Sequence, residues 1–156
     1  MNTSVGTPLN DAQRASGVDA PIVVTHVDGL RFAAQVRAHR VIVDQTLRAG
    51  GADSAPTPLE LLGVALGSCV ALYVTQFFAA RQLEHAGLEV QVEQHRSAAH
   101  NGIGAFTVHV LLPRQTSDQQ LLMLERVVRT CPVHRTLEGA VTIDVQLHRQ
   151  VNSSAV

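Results

Sequence analysis

The chain has 156 residues with 16% charged and a formal net charge of −1, so it offers no basic stripe to neutralise phosphates and no acidic tail. With no Trp and one Tyr it also lacks stacking platforms for bases or sugars, which excludes nucleic acid as an expected partner. Its length suits one domain that buries roughly two thirds of its unfolded surface without metal or disulfide staples.

Residues 1–20 are polar, rich in Asn, Ser, Thr, Asp and Gly, and show no basic start followed by an apolar run. They read as a disordered leader and not as a secretory signal. A single domain is expected over 21–151, with 152–156 as a short tail. A cytosolic location follows as an expectation, and in that compartment a cysteine pair is more often catalytic or redox-sensing than structural.

From Ile22 to Gln45 the side chains alternate: Leu30, Phe32, Ala34 and Val36 fall on one side, Arg31, Ala33, Gln35 and Arg37 on the other. This predicts half-buried strands, with a two-residue turn at Asp28-Gly29 and a second reversal at Ala38-His39, giving three antiparallel strands. A Gly- and Ala-rich loop through Gly50 and Gly51 then leads to Thr57-Pro58-Leu59-Glu60, an N-cap Thr, a Pro at N1 and a Glu at N3. That is a capping box with a preset φ. The helix it opens is predicted to run to Glu84 or His85, with Gly87 placed to end it.

Leu88 to Gln94 alternates again, and Asn101-Gly102 turns it back into Phe106, Val108 and Val110 as a second hairpin. Thr116, Ser117 and Asp118 are N-cap candidates for a helix carrying Leu121, Leu122, Leu124, Val127 and Val128 as a 3.6-period stripe. Pro132 stops it and starts a short helix to Leu137 that closes at Gly139; Val141, Ile143, Val145 and Leu147 alternate in a last strand. The order βββ-α-ββ-αα-β is an α+β layout with antiparallel sheets and one long apolar helix.

Leu61 to Ala80 carries no charge and contains Gly63-x-x-x-Gly67, so length and motif alone fit a transmembrane span. Against that, no Lys or Arg cluster flanks its start, Ser68, Thr75 and Gln76 interrupt the apolar surface, and amphipathic strands surround it. In water, a helix apolar all round must be covered on every side. The small residues Gly63, Ala65, Gly67, Ser68 and Ala71 admit another backbone, which predicts a homodimer with this helix near the subunit interface.

The two cysteines are the candidate reactive groups. An apolar helix raises the pKa of a thiol, so Cys69 needs a cation to react, and Arg31, Arg37 and Arg40 are available in the strand layer. Cys131, with Pro132 at N1, occupies an N-cap, where unsatisfied N–H groups favour a thiolate. His134 is expected to face solvent. A structural zinc site is not indicated, because no C-x2-C or H-x3-H pair occurs. Gly67-Ser68-Cys69 lies mid-helix instead of on a strand-to-helix elbow, there is no Gly-x-Ser-x-Gly, and phosphate-cradling glycine motifs are absent.

The run Pro56-Thr57-Pro58-Leu59-Glu60-Leu61-Leu62, then Ala65-Leu66-Gly67-Ser68-Cys69, and later Cys131-Pro132-Val133-His134-Arg135-Thr136-Leu137, resembles the OsmC/Ohr family of osmotically inducible and organic hydroperoxide resistance proteins. The resemblance implies an intertwined α+β homodimer and a thiol-dependent peroxidase acting on organic hydroperoxides without metal, flavin or haem. It assigns the peroxidatic role to Cys69 and the resolving role to Cys131, with a dithiol, such as a lipoyl group, resetting the pair. The family's peroxidases support the first cysteine with an arginine of the N-terminal strands and a glutamate just inside the long helix. Leu59 occupies that helical position here; Glu60 lies one residue on, about 100° round the helix, and Arg31 and Arg40 are the substitute arginines. These departures place the chain with the general OsmC-like branch, for which a module that binds a small apolar ligand or senses oxidants by disulfide formation is the alternative to an enzyme.

Overall fold

The computed structural model describes residues 20–99 and 101–139. Within them the order is β1 (Val23–Asp28), β2 (Arg31–Val36), β3 (His39–Val43), α1 (Pro58–Ala79), β4 (Glu89–Arg96), β5 (Ile103–Leu111), α2 (Asp118–Val128) and α3 (Pro132–Glu138), with a 3-10 turn at Leu47–Ala49. This is the α+β order read from the sequence. The expected last strand, the tail and the leader up to residue 19 lie outside the described residues.

Strands β1, β2 and β3 form an antiparallel sheet in that order, with Val24 opposite Ala34, and Ala34 opposite Val41. The first turn falls on Gly29-Leu30, one residue later than expected. Asp28 and Arg31 face each other across it and their side chains form an exposed ion pair, after an irregularity in the register between His26 and Asp28. Gly29 takes φ +48°, as the first central position of a type II′ turn favours glycine. The second turn likewise sits at Arg37-Ala38, not Ala38-His39, with Arg37 at φ +55°.

The capping box opens α1: Thr57 N donates to Glu60 Oε2 at 2.7 Å, and Glu60 N donates to Thr57 Oγ1 at 3.3 Å. The helix ends at Ala79, earlier than the expected Glu84 or His85. Its terminus is a Schellman arrangement with Gln82, at φ +54°, in the place usually held by glycine. Leu83 N donates to Phe78 O and Gln82 N to Ala79 O, both at 3.0 Å, consuming the last carbonyls. Gly87, at φ +82°, serves a later turn.

Strands β4 and β5 pair as a second sheet, closed by Ser97 N donating to Gly102 O at 3.0 Å. Helix α2 starts at an N-cap Ser117 whose box is completed by Gln120, and α3 starts at an N-cap Cys131. The chain divides into two compact units: one runs through Ser68 and includes Val90–Val110; the other comprises Cys69–Glu89 and the chain from Leu111 on.

In the first unit β4 lies against the start of α1, and the two glycines of Gly63-x-x-x-Gly67 are where it comes close. A Cβ on Gly67 would stand 2.9 Å from Val92 Cγ2, and one on Gly63 would stand 2.5 Å from Gln94 Nε2. Gln94 Nε2 also donates to Leu59 O at 2.8 Å. The motif that suggested helix dimerisation in lipid thus seats a strand. Alanine favours a helix over glycine by about 1 kcal/mol, but overpacking costs about 1–3 kcal/mol, and the branched Val92 side chain is stiff. Gly67→Ala is therefore expected to lower the urea unfolding midpoint, by roughly 1 kcal/mol in stability; a raised midpoint would show that Val92 gives way freely.

Candidate active site

Both cysteines belong to the second unit and are joined by a disulfide, with Cα atoms 6.2 Å apart, inside the range such a bond requires. Each is placed by local chemistry. On α1, the exposed Ser68 hydroxyl preceding Cys69 donates back to Val64 O at 2.6 Å. Cys69 itself is half-buried.

Cys131 sits in the bend between α2 and α3. The Thr130 hydroxyl donates to Val127 O at 2.6 Å and Cys131 N donates to Val128 O at 3.3 Å, closing α2, while Pro132 begins the next helix. Its sulfur accepts the His134 backbone N–H at 3.5 Å, so the side chain is the N-cap expected from the sequence. Cys131 is fully enclosed, at 0% exposure. Among the described residues, Val70, Val74, Phe77, Phe78 and Leu124 are the other buried apolar side chains of this unit. The rings of Phe77 and Phe78 meet edge to face at 5.7 Å, and Arg81 lies 3.8 Å over Phe77.

His134 departs from the expectation of a solvent-facing side chain. It is about three quarters covered, and its Nε2 lies 2.9 Å from Glu138 Oε1, off the hydrogen-bonding direction. The i,i+4 spacing of His134 and Glu138 was the available sequence signal for this contact.

Glu60, Arg31 and Arg40 belong to the first unit. The Glu60 carboxylate is taken up by the cap: the Thr57 N–H first, then the Thr57 hydroxyl and the charge of Arg96, hold its pKa below the usual carboxylate value. Arg31 is engaged by Asp28, and its Nε is shielded without a partner. Arg40 is exposed on β3, opposite Gln35.

Sequence reasoning missed Asp44, which is 1% exposed and organises the loop leading to α1. Its carboxylate accepts the Ser54 hydroxyl at 2.7 Å, Ser54 N at 3.1 Å and Gln45 N at 2.7 Å, and these bonds, the Ser54 hydroxyl foremost, lower its pKa. The Asp44 N–H donates to Pro56 O at 3.2 Å, tying the two ends of the loop together. Gly51 is packed so closely that a Cβ there would overlap the Gln45 carbonyl. An Asp at a strand end before a glycine-rich loop was the signal for this anchor.

On the exposed face of β4 and β5, His95 and His109 flank Glu93, with nitrogen to oxygen distances of 3.8 and 3.7 Å. Among the described residues, no group of three or more His, Cys, Asp or Glu side chains is disposed to hold a metal ion. The chemistry within reach is that of the sulfur pair: a thiol that meets the surface and a second, enclosed thiol that closes a disulfide with it.

A family model described as OsmC-like protein matches residues 51–146. No curated protein matches the chain. Among solved structures, a Psychrobacter arcticus protein named for osmotic stress induction and detoxification response aligns at 20% identity and TM-score 0.68, over 74% of this chain and 85% of its own. An OsmC-like protein from Mycoplasma pneumoniae aligns at 18% identity and TM-score 0.66, over 76% of this chain and 86% of its own. An organic hydroperoxide resistance protein from Elizabethkingia anophelis aligns at 17% identity and TM-score 0.58, over 79% of this chain and 91% of its own. At such identities the likeness is one of fold.

Proposed function

The chain belongs to the family of OsmC-like proteins, and on that premise we propose that it is a thiol-dependent peroxidase that reduces organic hydroperoxides through Cys69 and Cys131. The observation that carries this reading is the disulfide between a half-buried sulfur and a fully enclosed one, formed within one chain. The likeness in fold to an organic hydroperoxide resistance protein supports the choice of substrate class.

The Cys69 thiolate attacks the terminal oxygen of R–O–OH, the O–O bond breaks, and the alkoxide leaves as R–OH after taking a proton. Cys69 is then a sulfenic acid. The Cys131 thiolate attacks its sulfur, expels hydroxide, which leaves as water with a proton, and forms the disulfide. A small dithiol returns both sulfurs to thiols and is itself oxidised. The cycle needs no metal, flavin or haem and suits the cytosol, where such reductants keep thiols reduced.

We take the functional unit to be a homodimer, not a membrane-inserted protein. Helix α1 is long and apolar enough to cross a bilayer by composition, and only 39% of its most apolar stretch is covered within the chain. Val64 and Leu72 on α1, all six residues of β1, and Leu122 on α2 are also exposed, which supports a second copy as their cover. Light scattering on the soluble protein is expected to give twice the 16.7 kDa chain mass; the mass of one chain would contradict the dimer.

One observation favours a second reading. The Glu60 carboxylate is spent on the helix cap and Arg31 is engaged by Asp28, so neither is free as it stands to support a thiolate. A protein oxidised once and reset slowly would be an oxidant sensor. Consumption of cumene hydroperoxide in the presence of a dithiol separates the two. Wild type is expected to turn over repeatedly and Cys69→Ser to fall to the uncatalysed rate, while Cys131→Ser, reduced beforehand and treated with the peroxide after the dithiol is removed, is expected to react once and leave a sulfenic acid that dimedone captures. A burst equal to the protein concentration would establish the sensor, and activity unchanged in Cys69→Ser would overturn the role of that residue.

A further inference from the structure

We propose that the oxidised protein is opened from one side only: the reductant's thiolate attacks Cys69, and Cys131 is the sulfur that leaves. This rests on the cycle above and specifies its reducing half. Thiol–disulfide exchange needs the attacking sulfur to reach the far side of the sulfur it bonds, and its rate rises as the leaving thiol becomes more acidic. The two sulfurs differ in reach and in hydrogen bonding.

Cys131 is at 0% exposure within its own chain. Association with a second copy covers surface and uncovers none, so no assembly of this fold makes that sulfur reachable. Cys69 is only half-buried within its own chain. An approach to the disulfide from solvent therefore ends at Cys69.

Hydrogen bonding favours the same direction. The Cys131 sulfur already accepts the His134 backbone N–H at 3.5 Å while bonded to Cys69, and a sulfur that gains a full negative charge strengthens that bond without moving. Among the described residues no hydrogen bond reaches the Cys69 sulfur, whose α1 neighbours carry no charge. In the first exchange the charge therefore goes to the sulfur that already has a hydrogen-bond donor.

The step balances as follows. The reductant R–S⁻ bonds to the Cys69 sulfur, the Cys69–Cys131 bond breaks, and its electron pair goes to Cys131 as a thiolate. The second thiolate of a dithiol then attacks the reductant's sulfur in the mixed disulfide and forms the oxidised dithiol, releasing Cys69 as a thiolate that takes a proton. A monothiol stalls at the mixed disulfide until a second molecule arrives, which makes the intermediate accessible to experiment.

The test uses the full wild-type chain oxidised with diamide, so that it does not depend on peroxide turnover. Brief exposure to excess 2-mercaptoethanol, quenching with acid, alkylation and peptide mapping show which cysteine carries the adduct. The expected result is an adduct on Cys69 with Cys131 alkylated, in excess over the reverse by about tenfold or more. Adduct on Cys131, or equal amounts on both, would overturn the proposal. A protein that gives the Cys69 adduct but does not turn over cumene hydroperoxide retains this asymmetry and loses the peroxidase reading; one that turns over with adduct on Cys131 does the reverse.

Discussion

Helix α1 carries no charge between Glu60 and Arg81, and such an apolar cylinder in water has to be covered on all sides. Much of the rest answers that demand. Strand β4 approaches at Gly63 and Gly67, where the missing side chains let Val92 and Gln94 come within contact of the helix. The loop after β3 is closed by Asp44 and delivers the chain at Thr57, where the capping box fixes the first turn. The same helix bears Cys69, so the forces that position it also position the thiol.

An apolar setting is a poor one for a thiolate, and the molecule divides the problem between two sulfurs. Cys69 stands where a reactant from solvent can meet it and receives no hydrogen bond among the described residues. Cys131 is sealed from solvent but receives an N–H, because proline at the next position breaks the chain direction and begins a new helix. One sulfur provides access and the other has a hydrogen-bond donor in place. Their shared disulfide links these properties within a single chain, and the family to which the chain belongs gives the chemistry its setting.

Much of this was legible in the residues, for reasons that differ by element. Alternation gave the strands and the 3.6-residue stripe gave α2, since both patterns reflect a buried and an exposed face. The box at Thr57 and Glu60 and the cap at Cys131-Pro132 were readable because capping is a local event. The end of α1 was not, because Gln82 adopts the left-handed conformation that the sequence reserves for Gly87, a choice made by the surrounding structure. Both hairpin turns were misplaced by one residue: at the first, Gly29 takes the first central position of the turn and not the second, and at the second a non-glycine residue, Arg37, again took positive φ. The partial shielding of His134 and the anchoring role of Asp44 depend on partners that no composition or periodicity specifies. Gly63-x-x-x-Gly67 was read correctly as a place of close approach, but the partner in the chain is a strand.

The most direct measurement of the central claim is non-reducing peptide mapping of the reduced protein after one equivalent of an organic hydroperoxide. The account predicts a Cys69–Cys131 bond within each chain, with no covalent dimer on a non-reducing gel. Sulfinic or sulfonic acid at Cys69 beside a free Cys131 thiol, or a disulfide joining two chains, would contradict it.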